Sequence, residues 1–373
     1  MLALKADQFL RRLDNIEQGL IALETPDGKK RFFGGKKPGP KVDMQLRDWR
    51  VITNLAVNGD IGFAEDYREG FWDTSNLQDL LSLALLNEKA IDHLIFGSMP
   101  ARIFARFAQL LKMNSLRGSR KNISFHYDLG NDFYQLWLDE TMTYSAAIFK
   151  TNDDNLVTAQ HQKYDRMIDL MHSSSGRVLE IGCGWGGFAE RALHRGDFDV
   201  KGITLSSRQK EFADARLASF GARSRVALED YRHQQGVYDH IVSIEMFEAV
   251  GEQYWKTYFD KLSELLKKGG EALIQTITIA DDRFKKYRES GDFIRKHIFP
   301  GGLLPSPALF EKYALESGLK QVNRFDFGQD YALTLEHWLQ VFDQKKTEIL
   351  NLGYDERFIR MWRFYLAGCI AGF

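Results

Sequence analysis

A carboxylate two residues ahead of a run of glycines is the feature of this sequence best placed to do chemistry. Glu180 precedes Gly182, Gly184 and Gly187 in Val178-Leu-Glu-Ile-Gly-Cys-Gly-Trp-Gly-Gly187. Glycines let a chain turn sharply and approach a ligand closely, at the edge where open parallel sheets hold nucleotides. The same glycines also fit an ordinary tight turn, so the surrounding charges must identify the ligand. A nicotinamide dinucleotide wants an acid at the end of the next strand, about 20 residues on. Gly202-Ile-Thr-Leu-Ser206 stands there and has no acid. An acid before the glycines suits S-adenosylmethionine instead, whose amino group and sulfonium are cationic and which has no pyrophosphate to cradle.

The elements that would position such a loop are legible around it. Arg177–Ile181, Val200–Leu205, Asp239–Ile244 and Glu271–Ile279 read as strands. Residues 190–195, 208–220 and 254–266 read as helices between them, the last closed by Lys267-Lys-Gly-Gly270. Alternating strands and helices imply a mainly parallel sheet covered on both faces, an α/β class. Upstream, residues 18–36 alternate apolar stretches with turn residues and predict a small β element. Gly35–Pro40 reads as a turn-rich connector, and residues 75–114 as helical. A first domain is expected to end near residue 120, at Gly118-Ser-Arg-Lys121, with a second over 121–373.

Composition narrows the function classes. With 50 basic against 51 acidic residues, no global charge argues for nucleic acid. No apolar run approaches the roughly 20 residues of a membrane-spanning helix. The first 20 residues carry acids and lack the apolar core of a signal peptide. Cys183 and Cys369 form no metal-binding spacing and no disulfide framework, as in a reducing cytosol. Cys183 reads as a packing residue of the glycine loop and His297 as structural. The last residues, Leu366–Phe373, read as helix, so the natural C-terminus is expected further on.

Further motifs run in order along the chain. They are His126-Tyr-Asp-Leu-Gly-Asn-Asp-Phe-Tyr134, Asp139-Glu-Thr-Met-Thr-Tyr-Ser145, the glycine segment, and Gly202–Ser206 with Gln209. After these come Asp230-Tyr-Arg232, Ser243-Ile-Glu-Met-Phe-Glu-Ala-Val-Gly251, Phe293 with Ile298-Phe-Pro-Gly-Gly302, and Asp330-Tyr331. In these motifs, and in Gly59–Tyr67, the chain resembles the cyclopropane-fatty-acyl-phospholipid synthases and mycolic acid cyclopropane synthases, a family of S-adenosylmethionine-dependent lipid C-methyltransferases. The resemblance implies a Rossmann-like methyltransferase fold with a smaller α+β N-terminal domain and a substrate-pocket insertion around 280–330. It implies that Tyr144, Ser145, Gly182 and Gly184 meet the methionine part of the cofactor, beside the Glu180 carboxylate already read from its charge. Thr204, Leu205, Gln209, Asp230 and Tyr231 would lie at its ribose and adenine. Thr204 and Tyr231 also fit ordinary strand-end and core positions.

An isolated alkene is a poor nucleophile, and a sulfonium is a strong methyl donor because its leaving group is neutral. Transfer to a double bond needs donor and alkene in line, stabilisation of a carbocation by π faces or carboxylate, and a base. In the family that base is a bicarbonate held by a cysteine, a glutamate, a histidine and a tyrosine. The resemblance assigns the glutamate to Glu248 and the tyrosine to Tyr331. It finds Ala146 where cysteine is usual and Gln275 where histidine is usual. Glu248 alternatively reads as an acid at a helix start. Two outcomes stay open. Bicarbonate still binds through Glu248, Gln275 and Tyr331 and the product is a cyclopropane fatty acyl chain, or the cation resolves to a methyl-branched or methylene chain.

Pro100–Lys121 carries an apolar stripe with Arg102, Arg106, Lys112, Arg117, Arg120 and Lys121 and no acid. It reads either as a helix lying on an anionic membrane surface or as one packed between domains. Arg283–Pro305, rich in aromatics, is a candidate pocket wall. The expected partners are an unsaturated phospholipid and the membrane surface, with no nucleic acid. The expected place is cytoplasmic, peripheral on the inner membrane face, and the resemblance adds a homodimer as an option. A methyltransferase for a soluble small molecule, or a lipid-binding relative without catalysis, are the rival readings.

Overall fold

The computed structural model describes residues 10–90, 129–151 and 153–373, which fall into two compact units. The basic segment Pro100–Lys121, the expected boundary near residue 120 and His126–Asp128 lie outside the described residues.

The first unit draws on residues within 1–111, 289–298 and 335–373. Its sheet runs in the order β2-β1-β3-β4. β1 (Gln18–Glu24) pairs antiparallel with β2 (Lys30–Gly34) across a turn closed by Gly28, whose φ of 77° a side chain would disfavour. β3 (Lys37–Leu46) pairs parallel with β1, and β4 (Trp72–Asp73) closes the order. Gly35–Pro40 is therefore not wholly a connector. Pro38 and Pro40 sit in the irregular start of β3, where the register slips between Gln18 and Leu20, and a bulge tolerates residues that cannot donate to the ladder. Two helices, α1 (Arg50–Arg68) and α2 (Leu77–Leu86), follow β3 and β4. The helix Glu356–Gly372, capped by Asp355, returns to pack on both. There Phe63 stacks on Trp72 at 4.1 Å and Phe364 meets Trp72 edge-on. The end of the chain thus belongs to the first unit, not to a second domain continuous over 121–373. Glu289–Ile298, from the expected pocket insertion, joins it too.

The second unit draws on residues within 112–288 and 299–334. Its five parallel strands run in the order β7-β6-β5-β8-β9: β5 (Ser175–Ile181), β6 (Asp197–Thr204), β7 (Ser224–Leu228), β8 (Tyr238–Ile244) and β9 (Leu266–Gln275). Side chains alternate across the sheet. Val178, Val200 and Val242 face α3 (Leu156–Asp169) and α4 (Gly187–Arg195), through Tyr164, Ile168, Phe188 and Ala192. Leu179, Ile181 and Ile241 face α5 (Trp255–Leu265), through Trp255, Tyr258 and Leu262. β7 was not anticipated, because only two of its five residues are buried. β9 starts earlier than expected. The Lys267–Gly270 run is strand, with an irregular register that spans Tyr238 and His240 and with Gly269 at φ 82°. The strand stops at Gln275 rather than Ile279.

The winding reverses between β5 and β8, which lie side by side with Ile181 opposite Ser243. The carboxyl ends of two such strands form the crevice where open α/β sheets bind ligands. Gly182 follows one strand and Glu245 the other, four residues beyond Ile241.

Candidate active site

At the first strand end the main chain shapes the site. Gly182, Gly184 and Gly186 have φ of 80°, 51° and 84°, which only glycine adopts cheaply. The Gly182 and Cys183 N–H groups donate to the Ile203 carbonyl at 3.0 Å and tie the loop to β6. A Cβ on Gly184 would meet no protein atom within 4 Å, since the residue opens into a cavity. Tyr144, Ser145, Glu180, Gly182, Gly184, Thr204, Leu205, Gln209, Asp230 and Tyr231 all line that one cavity. Thr204 Oγ1 donates to Gln209 Oε1 at 2.8 Å, and Ser206 caps the helix that carries Gln209. Asp230 is held by a bidentate Arg232, which keeps its carboxyl below the usual range against the opposing effect of burial. Tyr144 packs against Tyr134 and Trp137, each 5.5 Å between ring centres.

Two buried titratable side chains stand under this end. Glu180 is 3% exposed, and its Oε2 is buried with no hydrogen-bond partner. Burial pushes its carboxyl up to about 8, although Lys163 pulls it back. Lys163 is 1% exposed and donates to Ser145 Oγ at 2.6 Å. Burial lowers its pKa, against the attraction of Glu245, Asp139 and Glu180. An orphaned carboxylate oxygen lining a cavity is costly unless a cation completes it, and the amino group of S-adenosylmethionine is such a cation.

At the second strand end side chains do the shaping. Glu245 lines the same cavity with φ 46°, a left-handed backbone that is unusual for glutamate. Its Oε2 accepts from the Tyr331 hydroxyl at 2.6 Å. Its Oε1 accepts from the Ala146 N–H and from Gln275 Nε2, both at 2.8 Å. Gln275 Nε2 also donates to the Ala146 carbonyl, at 3.3 Å, which sets its amide orientation, since a flipped amide would aim oxygen at two acceptors. Burial raises the Glu245 carboxyl, while Tyr331, Ala146, Lys163 and Gln275 favour the ionised form.

Glu248 lies nearby but is held differently. Its Oε1 accepts from Thr276 Oγ1 at 2.9 Å and from the Ile277 N–H, and its Oε2 is buried without a partner. Burial and the neighbouring Glu245 push it up to about 7. Gln275 and Tyr331 were expected to join Glu248 around a common anion; both donate to Glu245 instead. Sequence reasoning passed over Glu245 and Lys163. The signal for Glu245 was a carboxylate immediately after a buried apolar strand, and for Lys163 a lysine on the buried stripe of α3. Cys183 is buried, and its thiol is pushed up by that burial. His297 Nε2 pairs with Glu65 at 2.8 Å in the first unit.

Known proteins resemble this chain in sequence and fold. A family profile described as mycolic acid cyclopropane synthetase matches residues 114–373. A tuberculostearic acid methyltransferase of Mycobacterium tuberculosis is 39% identical, over 87% of this chain and 78% of its own. The cyclopropane-fatty-acyl-phospholipid synthase of Escherichia coli K12 is 33% identical, over 89% and 84%. Among solved structures, a mycolic acid cyclopropane synthase complexed with SAH and CTAB superposes with a TM-score of 0.62 at 30% identity, covering 67% of this chain and 92% of that one. With its parallel sheet, its glycine turn and its orphaned carboxylate, this chain belongs to the mycolic acid cyclopropane synthetase family and is an S-adenosylmethionine-dependent methyltransferase.

Proposed function

We propose that the chain methylates the double bond of an unsaturated phospholipid acyl chain and releases a cyclopropane fatty acyl chain. The observation that carries this reading is the joining of two kinds of site in one cavity. A glycine turn with an orphaned Glu180 carboxylate suits a sulfonium donor, and a carboxylate with three donors suits a reaction that creates positive charge and ends in proton loss. When bound, S-adenosylmethionine supplies an electrophilic methyl group. Glu180 would hold its amino group, Gly182 and Gly184 would admit its methionine part, and Tyr144 and Ser145 would close over it. Thr204, Leu205, Gln209, Asp230 and Tyr231 would take the ribose and adenine. Glu245 would face the developing cation, and preorganised charge of this kind is worth about 3 kcal/mol or more in a water-poor site.

A second reading, methyl transfer without ring closure, is favoured by Ala146, Gln275 and Glu245 together. They differ from the expected bicarbonate cage at two positions and fill it with a side chain. The named activity of the tuberculostearic acid methyltransferase supports the same reading. Among the described residues no helix is long and apolar enough to cross a membrane. Access to a bilayer chain would then come from peripheral docking on the inner face through the basic segment 100–121, and a homodimer would fit the same role. The test is expression in a bacterium with unsaturated phospholipids and no such enzyme of its own. The expected outcome is a new acyl species one methylene heavier, absent from a Gly184→Val control. Unchanged fatty acids alongside a methylated water-soluble metabolite would overturn the reading.

A further inference from the structure

The proposed reaction needs a group that accepts a proton once the methyl has been transferred. Among the carboxylates and amines that line the cavity or lie against it, Glu229 is paired with Lys201. Asp230 is spent on Arg232. Glu248 turns to Thr276 and Ile277 and does not line the cavity. Lys163 is a donor, bound to Ser145. Glu180 lies ahead of the glycine turn, where the cationic methionine end of the donor belongs. Glu245 alone both lines the cavity and has its two carboxylate oxygens fixed by donors from three separate segments.

We propose that Glu245 is the proton acceptor of this enzyme, a base built into the chain, so that turnover needs no dissolved anion. The inference rests on the acyl-alkene reading above. In the step, the alkene π pair forms the new C–CH3 bond while the sulfur keeps the S–CH3 pair and becomes a neutral thioether. The neighbouring chain carbon is left cationic. A C–H pair of the new methyl group then closes the ring, or forms a C=C bond after a hydride shift, and the proton passes to a Glu245 oxygen. Charge balances: one sulfonium cation is consumed and one carboxylate is neutralised.

The three donors set the geometry of this base. All of them favour the carboxylate against the burial that raises its pKa, and none occupies every lone pair, since a carboxylate offers about four acceptor sites. The backbone supports the assignment. Holding a glutamate at φ 46° costs about 1–2 kcal/mol, and strain of this kind persists where the surroundings fix a side chain for use.

The experiment follows label transfer from methyl-labelled S-adenosylmethionine into dioleoyl phosphatidylglycerol vesicles, in buffer purged of carbonate and in buffer with added bicarbonate or formate. The parent is expected to turn over equally in all three. Glu245→Gln keeps the shape and loses the base. Its kcat should fall by about 100-fold or more, the scale of a general base, with affinity for S-adenosylmethionine retained by calorimetry. Glu245→Gly relieves the positive φ and leaves the donors of Tyr331, Gln275 and Ala146 around a space the size of a small carboxylate. It should be as slow in purged buffer and regain about 10-fold or more with formate or bicarbonate, as a donor-lined site admits a small anion. A Glu245→Gln rate within about threefold of the parent, well below the range of a general base, would overturn the proposal, as would a parent whose turnover depends on bicarbonate. A parent that labels no unsaturated lipid would instead remove the acyl-alkene reading beneath it.

Discussion

The two strand ends that meet in the cavity are built by opposite means. After β5 the main chain makes the site, by three left-handed glycines and a carboxylate left open on one oxygen. After β8 side chains make it, by a strained glutamate with both oxygens taken up by donors. An unsatisfied buried carboxylate is tolerable where a cation arrives to complete it. A satisfied one is useful where charge appears only during the reaction and must meet an oriented group. On the proposed function the contrast separates binding from turnover, so damage at each end should show in a different measurement.

The largest effect is expected at the main-chain end. Gly184→Val places a branched side chain at φ 51° and in the cavity, at a cost of about 1–2 kcal/mol for the backbone alone and more for lost space. Affinity for S-adenosylmethionine, read by calorimetry, should fall by about 100-fold or more, a loss of about 3 kcal/mol. The backbone strain is borne by the fold with or without ligand, and because a Cβ there meets no protein atom within 4 Å, the thermal transition should drop by only a few degrees. Retained affinity would dissolve the distinction between the ends.

Next comes Tyr331→Phe, which deletes one donor to Glu245. A hydrogen bond to a charged group is worth about 1.5–3 kcal/mol. The prediction is a kcat loss of about 10- to 100-fold with cofactor affinity unchanged. Weaker cofactor binding without a slower step would place Tyr331 at the wrong end.

The smallest effect is in pH. Burial raises Glu180 to about 8, so below that pH the free protein carries it protonated. Its contribution to stability is fully present below the ordinary carboxylate range and is lost as pH rises through about 8. A cationic ligand prefers the ionised form, so binding should release a proton below this range. Affinity should rise severalfold from about pH 6 to 8 and then level off. Lys163, its own pKa lowered by burial, faces Glu245 and Asp139 as well as Glu180, so the parent curve belongs to the cluster. Calorimetry in buffers of different ionisation enthalpy should show proton release in the parent and none in Glu180→Gln. An identical pH curve in that variant would detach Glu180 from the cofactor.

The same contrast explains what the sequence disclosed. The glycine end is contiguous: strand, acid, turn and helix fall within residues 175–195, and local periodicity exposes them. Glu245 instead draws its partners from 99, 30 and 86 residues away, and no local pattern marks that convergence. Ala146 and Gln275, read as changes around a shared anion, meet at one carboxylate. It was Glu245 rather than Glu248 that they surround, because the backbone turns left-handed as it leaves β8. The first unit was half legible for a similar reason. Its hairpin is local, but its packing uses a helix from the far end of the chain, 356–372, whose apolar stripe gives no hint of its partner.

The central claim is that the donor's methyl reaches an alkene carbon and then loses a proton. Trideuteromethyl S-adenosylmethionine, purified protein and dioleoyl phosphatidylglycerol vesicles test it in one mass spectrum of the released fatty acids. Methyl transfer followed by proton loss from that methyl predicts a labelled acyl chain that keeps two of the three deuterons, whether it closes to a cyclopropane or opens to a methylene. Label found only on a head group or a water-soluble acceptor, with acyl chains unlabelled, would contradict the account.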